Sequence, residues 1–212
     1  MEPDRFLSGL PVLFDDFPRS EAPRNGRFEE VLAAVPGLAK PNNLALLNLA
    51  ASLLADGESY VEVGTYRGTS LIAAMLGNDG DFVGIDNFSL GDGSREQLEA
   101  NLAGFGLSGA TILEGDAFEI LRSGALEGRP AGVYYYDNGH AYEQQLDGLR
   151  LAEPYLASPA LMIVDDSDWE RVARATHDYL VAQPRARKLL EIPGKDRGQP
   201  HWWEGMQILA WN

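Results

Sequence analysis

Short apolar runs alternate with longer segments through most of the chain. The short runs predict strands at residues 60–63, 81–86, 110–113, 132–136 and 161–164. The segments between and after them predict helices at residues 69–76, 94–105, from about 117, 140–156 and 168–182. Because strands that alternate with helices of this length form βαβ units, we predict a parallel sheet with helices on both faces.

The end of the chain departs from this order. Two strand-like runs, residues 187–192 and 206–211, are joined by a loop at 193–200 with no helix between them. This pattern predicts a C-terminal antiparallel hairpin. With the five earlier strands, the sequence predicts an α/β, Rossmann-like fold with a mostly parallel seven-stranded sheet.

The first residues lack a sustained period. We interpret residues 1–41 as an extended or partly helical arm or lid, and residues 42–212 as the main domain. Asn42 and Asn43 are predicted to cap an apolar helix that runs to about residue 54. Because the arm carries apolar side chains that a free tail would expose, we expect it to cover the site or to pair with another subunit in a homo-oligomer.

Composition limits the class of partner. The chain has 212 residues, 45% of them hydrophobic and 23% charged, which suits one globular domain. Its formal charge of −15 disfavours nucleic acid and an anionic membrane surface as partners. A small neutral or cationic acceptor fits better, although the charge could equally serve only to keep the chain in solution.

The sequence also indicates the cellular compartment. The chain contains no cysteine, which excludes disulfides and thiolate chemistry. Its acidic first residues lack the apolar region of a secretory signal, and the apolar stretch at 44–55 is too short to span a bilayer. We therefore expect a cytoplasmic protein with no membrane partner.

Acidic residues and glycines collect where the predicted strands end. The positions are 62–68, Asp86, Asp116, Asp137 and the pair Asp165-Asp166. Because ligands of open α/β sheets bind outside the carboxyl ends of the strands, these residues predict one shared polar site. The alternative is that the ends of strands are simply exposed.

The first of these segments reads Glu-Val-Gly-Thr-Tyr-Arg-Gly. Gly64 and Gly68 would let the backbone approach a ligand, and the following helix would present free N–H groups. The spacing differs from the glycine fingerprint that binds a diphosphate, and Glu62 would repel a diphosphate but suit a cationic ligand. Asp86 is placed to accept hydrogen bonds from ribose hydroxyls, unless the pair is only a glycine turn beside an exposed carboxylate.

Together these residues resemble the class I S-adenosylmethionine-dependent methyltransferases, from about residue 42 to the end of the chain. The resemblance implies that S-adenosylmethionine is the cofactor and that its methionine portion lies near Glu62, Gly64, Thr65 and Gly68. It also implies that Asp86 holds the ribose. Asp116 would meet the adenine amino group, with Ala117 beside the ring.

The second half is similar to the small-molecule O-methyltransferase branch, of macrocin and catechol type. The segments that carry the likeness are residues 136–142 and 161–166. The likeness implies that Asp137, Asp165 and Asp166 hold Mg²⁺ or another divalent cation, which would orient an acceptor hydroxyl and lower its pKa. His140 and Asp137 would then be catalytic, with His140 as general base.

Several alternatives remain at this point. His140 could only position its loop, and the acidic residues could cap the helix near Asp168 or pair with Arg171. Asn138 and residues 158–160 depart from the usual pattern of the branch, which has a small residue and a Gly-Gly turn there. A nicotinamide-dependent oxidoreductase or epimerase, and a cofactor-binding module without turnover, are the competing functions.

Overall fold

The computed structural model describes residues 1–196, 199–200 and 202–212. The helices of this part are α1 (Pro3–Gly9), α2 (Arg27–Ala34), α3 (Pro41–Ser52), α4 (Thr69–Met75), α5 (Arg95–Gly104), α6 (Ala117–Arg122), α7 (Tyr142–Ala152) and α8 (Glu170–Ala182). The strands are β1 (Ser59–Val63), β2 (Asp81–Asp86), β3 (Thr111–Glu114), β4 (Ala131–Tyr136), β5 (Leu156–Val164), β6 (Ala186–Ile192), β7 (Lys195–Asp196), β8 (Gln199–Pro200) and β9 (Met206–Trp211). Short 3₁₀ turns follow α1 and α7 at Leu10–Leu13 and Glu153–Tyr155.

The main sheet has seven strands in the order β3-β2-β1-β4-β5-β9-β6. The first five pair in parallel, and β9 runs antiparallel to both β5 and β6. The predicted sheet and its C-terminal hairpin are therefore confirmed. Within the predicted loop at 193–200, β7 and β8 form a small antiparallel pair, while residues 197 and 198 lie outside the described residues.

Alternation along the strands divides the core into two layers. Tyr60, Tyr135 and Leu161 pack on one face of the sheet. Val61, Tyr134 and Met162 pack on the other. Because successive side chains of a strand point to opposite faces, and helices cover both, the central strands are apolar at nearly every position.

Two predicted boundaries were wrong. Helix α3 begins at Pro41 with Lys40 as its N-cap, and Asn42 and Asn43 are buried inside its first turn. Proline is favoured at that position because its missing N–H would have no helical partner. Helix α7 ends at Ala152 because Pro154 cannot continue the hydrogen bonding.

Residues 158–160 lie inside β5 rather than in a turn before it. The pairing of β4 with β5 shifts register in this stretch, since Ala131 pairs with Leu156 but Val133 pairs with Leu161. A strand proline is accommodated at such an irregularity because it has no N–H to donate. The departure from a Gly-Gly turn therefore changes the start of β5 and leaves its carboxyl end in register.

The N-terminal arm is an integral part of one core layer. Phe6, Leu10, Phe14 and Phe28 are each at most 3% exposed and pack in the same cluster as α3. The Phe14 ring lies 5.4 Å from the ring of Trp202, whose indole N–H donates to the Pro18 carbonyl oxygen at 2.6 Å. No helix among the described residues has both the length and the apolar character to cross a bilayer.

Candidate active site

A cavity of about 360 Å³ opens at the carboxyl ends of β1, β2, β4 and β5. The strand-end loops contribute Gly64, Thr65, Asp86, Asp137, His140 and Asp166 to its wall. The arm contributes Gly37, Leu38 and Ala39. The structure thus brings the two predicted halves of the site together, and the arm forms part of the wall, as expected for an arm that covers the site.

The glycine turn after β1 is shaped by a close approach of two strand ends. Gly64 has a φ of +96°, and a Cβ on it would overlap the carbonyl oxygen of Asp137. Gly68 has a φ of +89° and is the N-cap of α4. Gly64 is therefore required both by its backbone conformation and by the close approach of Asp137, whereas Gly68 is favoured by its positive φ.

Asp86 is held by the loops on either side of the cavity. One carboxylate oxygen accepts a hydrogen bond from the backbone N–H of Tyr66 at 2.7 Å, and the other from that of Phe88 at 2.6 Å. Each oxygen keeps a further lone pair, so the carboxylate can accept from a ligand while its position stays fixed. This placement agrees with the predicted role at a ribose.

Glu62 lies behind the wall of the cavity. It is fully buried, and its carboxylate accepts hydrogen bonds from the Tyr60 hydroxyl at 2.8 Å and the Ser70 hydroxyl at 2.6 Å. Burial raises the pKa of Glu62 to about 7. Ser70 lines the cavity, so Glu62 would act on a ligand through Ser70 rather than by the direct contact expected.

The two residues predicted to meet adenine lie at the start of α6. Asp116 is exposed and caps α6 by accepting a hydrogen bond from the Glu119 N–H at 2.9 Å. Ala117 is buried in the core. Neither residue is among those that line the cavity described above, so their contacts with adenine stay a prediction.

Asp137, His140 and Asp166 form the acidic cluster of the site. One potential ligand atom from each lies within 4.8 Å of the other two. His140 Nε2 is 3.0 Å from Asp166 Oδ2. Asp166 has a φ of +51°, an uncommon conformation for a residue with a side chain, and its buried Oδ1 has no hydrogen-bond partner among the described residues.

Asp165 is not one of these three residues, whereas the sequence predicted Asp137, Asp165 and Asp166 as the metal ligands. Its carboxylate accepts hydrogen bonds from the Tyr135 hydroxyl and, at 2.9 Å, from the Asp166 N–H. Burial raises the pKa of Asp165 to about 7. Burial and the neighbouring charges of Asp165 and Asp166 raise the pKa of Asp137 well above its usual range.

Sequence reasoning missed Ser70, Tyr135 and Trp169 as parts of the site. Strand alternation gives a usable signal for Tyr135, because it must face away from Tyr134 and Tyr136. The Trp169 ring lies 4.9 Å from the His140 ring in an edge-to-face arrangement. That contact joins residues 29 positions apart, so no local pattern indicates it.

Comparison with known proteins places this geometry in context. A family model described as a methyltransferase domain matches residues 61–167. The chain is 26% identical over 151 residues to uncharacterized protein R132 of Acanthamoeba polyphaga mimivirus, covering 68% of each chain.

Solved structures share the fold. An O-methyltransferase from Bacillus cereus in complex with S-adenosylhomocysteine aligns with a TM-score of 0.67 and 16% identity, over 97% of this chain and 96% of that one. The O-methyltransferase TomG from Streptomyces achromogenes, involved in tomaymycin synthesis and solved with S-adenosylmethionine, aligns with a TM-score of 0.64 and 20% identity. That alignment covers 100% of this chain and 98% of TomG.

Proposed function

Because the chain belongs to the methyltransferase-domain family, which matches it over residues 61–167, we propose that it transfers a methyl group from S-adenosylmethionine to a hydroxyl of a small molecule. Family membership contradicts the alternative of a nicotinamide-dependent oxidoreductase or epimerase. The observation that carries the proposal is the shared cavity. Asp86 and the Gly64 turn lie on one part of its wall, and Asp137, His140 and Asp166 lie on another.

The cofactor would occupy the part of the cavity near Gly64, Thr65 and Asp86. Thr65 supports this because it lines the cavity and its buried hydroxyl oxygen has no hydrogen-bond partner within the described ranges. Asp86 would accept hydrogen bonds from the ribose hydroxyls. The hydrogen bonds from Tyr66 and Phe88 fix the carboxylate before the ligand arrives, which lowers the entropy cost of binding.

The acidic cluster fits a divalent cation. Asp137 and Asp166 would supply carboxylate oxygens, as suits Mg²⁺, which takes few carboxylates and keeps several waters. The unpartnered Oδ1 of Asp166 is the observation that supports this fit. When bound, the cation would lower the pKa of the acceptor hydroxyl and orient it.

The chain's own groups would manage the proton. Asp166 Oδ2 can accept from His140 Nε2–H, which leaves Nδ1 of His140 as the acceptor of the hydroxyl proton. The acceptor oxygen then forms a bond to the methyl carbon. The bond from that carbon to sulfur breaks, and its electron pair remains on sulfur to give S-adenosylhomocysteine.

Two measurements test this function. Calorimetry should show saturable binding of S-adenosylhomocysteine and none of NAD. Incubation with S-adenosylmethionine and a panel of catechols and sugars should give a product with one added O-methyl group, detected by mass spectrometry. The absence of cofactor binding would overturn the proposal, and binding without turnover on the panel would favour a cofactor-binding module instead.

A further inference from the structure

A second groove lies beside the acidic cluster. It encloses about 470 Å³ and is lined by Tyr142, Trp169, Glu170, Arg171 and Arg174, at the starts of α7 and α8. Trp169 also contacts the ring of His140, which lines the cofactor cavity. The groove and the cavity are therefore adjacent, and the His140–Trp169 contact forms part of the boundary between them.

The groove concentrates arginines on an acidic protein. The chain carries a formal charge of −15, yet two of the five groove residues are arginines and one is a glutamate. The Arg171 guanidinium lies 5.5 Å from the centre of the Trp169 ring. Across the part of the chain that the structure describes, no carboxylate forms an ion pair with Arg171, including the acidic residues considered as its partners above.

Arg174 completes the positive wall. Its guanidinium lies 5.2 Å from the centre of the Tyr142 ring and 3.9 Å from Asp178, to which the Tyr142 hydroxyl also donates at 2.8 Å. In the part of the chain that the structure describes, no side chain caps the N-terminus of α8, which starts at the groove. A helix N-terminus next to arginine side chains attracts anionic oxygens, although Glu170 in the first turn offsets part of this attraction.

The exposed ring of Trp169 gives the groove a second kind of ligand contact. Trp169 is 37% exposed, so a planar ring or the apolar face of a sugar can pack against it. A compound packed on Trp169 would lie close to His140, whose ring is 4.9 Å from that of Trp169. An anionic group on the same compound would reach Arg171, whose position is set by its contact with Trp169.

We propose that this groove is the acceptor subsite, and that the acceptor is a hydroxylated ring compound carrying an anionic carboxylate or phosphate group. This deepens the proposed function and rests on it. It replaces the neutral or cationic acceptor expected from net charge, because Arg171, which pairs with no carboxylate among the described residues, can bind an anionic group at contact distance.

The test is a set of calorimetric titrations on the full chain saturated with S-adenosylhomocysteine. The probes are catechol, 3,4-dihydroxybenzoate and pyrophosphate; the first two differ only in the carboxylate. We expect the wild type to bind dihydroxybenzoate at least about tenfold more tightly than catechol, or to bind pyrophosphate saturably. The first result identifies a carboxylate acceptor and the second a phosphorylated one.

Variants locate the binding. Arg171→Gln should abolish the preference for the anionic probe, whereas Arg187→Gln, an exposed arginine on β6 with the same charge change, should keep it. Trp169→Leu should weaken the binding of catechol and dihydroxybenzoate more than the binding of pyrophosphate. Equal affinities for catechol and dihydroxybenzoate without saturable pyrophosphate binding, or equal losses in both arginine variants, would overturn the proposal. Affinity for S-adenosylhomocysteine, measured in the same samples, reports separately on the proposed function.

Discussion

Gly64 lies directly against Asp137, so that a Cβ on the glycine would overlap the aspartate's carbonyl oxygen. The Asp137 N–H donates to the Val63 carbonyl at 2.9 Å, which fixes the two strand ends at this spacing. The contact joins the Gly64 turn to the acidic cluster. The two halves of the site are therefore held in one geometry by backbone alone.

Gly64→Ala should disrupt this junction. Gly57 provides a matched control, because it also has a positive φ (+81°) but a Cβ there would meet nothing within 4 Å. Gly57→Ala should cost about 1–2 kcal/mol of unfolding free energy from backbone strain. Gly64→Ala should cost a further ~1–3 kcal/mol from overpacking and should weaken S-adenosylhomocysteine binding. Denaturation and calorimetry measure both effects, and equal behaviour of the two variants would contradict the prediction.

Asp86→Ala should weaken S-adenosylmethionine binding by about ten- to a hundredfold, since a charged acceptor of ribose hydrogen bonds contributes roughly 1.5–3 kcal/mol. Asp81→Ala is the control, because Asp81 lies at the opposite end of β2 and pairs with Arg129. Its affinity for the cofactor should match that of the wild type. An unchanged affinity in Asp86→Ala would remove this residue from the cofactor site.

Turnover should stop in EDTA and return with Mg²⁺. Asp166→Asn should weaken metal binding by more than about a hundredfold, whereas Asp165→Asn should stay within the roughly ten- to hundredfold range of outer-shell changes. The physical reason is that Asp166 Oδ1 has no hydrogen-bond partner, while the Asp165 carboxylate is occupied by Tyr135. Full activity in EDTA would exclude the metal mechanism and leave the His140–Asp166 pair to act alone.

Stability should depend on pH through Glu62. Burial raises its pKa from 4.5 to about 7, so between these values the folded state binds more protons than the unfolded state. The stabilisation from preferential protonation of folded Glu62 is therefore fully present below pH 4.5. As the pH rises from 4.5 through 7, this contribution to the unfolding free energy falls by about 3 kcal/mol.

Glu62→Gln removes this titration. Its amide oxygen can still accept from one of the two hydroxyls of Tyr60 and Ser70, and its NH2 group can donate to the oxygen of the other. The difference in unfolding free energy, variant minus wild type, should rise by about 3 kcal/mol as the pH is raised from about 4 to about 8. Urea denaturation across that range measures the difference. Parallel stability curves for the two proteins would show that Glu62 is not destabilised by burial.

Buried residues of the N-terminal arm should contribute to the unfolding free energy as core residues do. Phe14→Ala should lower the unfolding free energy by about 3–5 kcal/mol, because Phe14 is 2% exposed and packs on Trp202. Val12→Ala, at a position 65% exposed in the same segment, should change it by less than about 0.5 kcal/mol. Thermal and urea unfolding measure both variants, and a Phe14→Ala protein as stable as Val12→Ala would show that the arm is peripheral.

Much of the fold was predictable because its signals are local. Apolar runs of strand length, separated by helical segments, predict the order of β1 to β5, and the lack of a helix after residue 187 predicts the antiparallel end. The arm was not predictable in the same way. Its short helices have no sustained period, and their apolar side chains are buried only because α3 and Trp202 lie against them.

The candidate site also combines features set by local sequence with features set by tertiary contacts. The sequence by itself determined that carboxylates and glycines gather at the carboxyl ends of the strands, since this follows from strand position. Tertiary structure alone decided which of Asp165 and Asp166 faces the cavity. Tyr135, on the neighbouring strand, engages Asp165, and the positive φ of Asp166 turns its side chain towards His140. Adjacent residues of the same type carry no sequence signal to distinguish them, because their orientations depend on partners that only folding brings into contact.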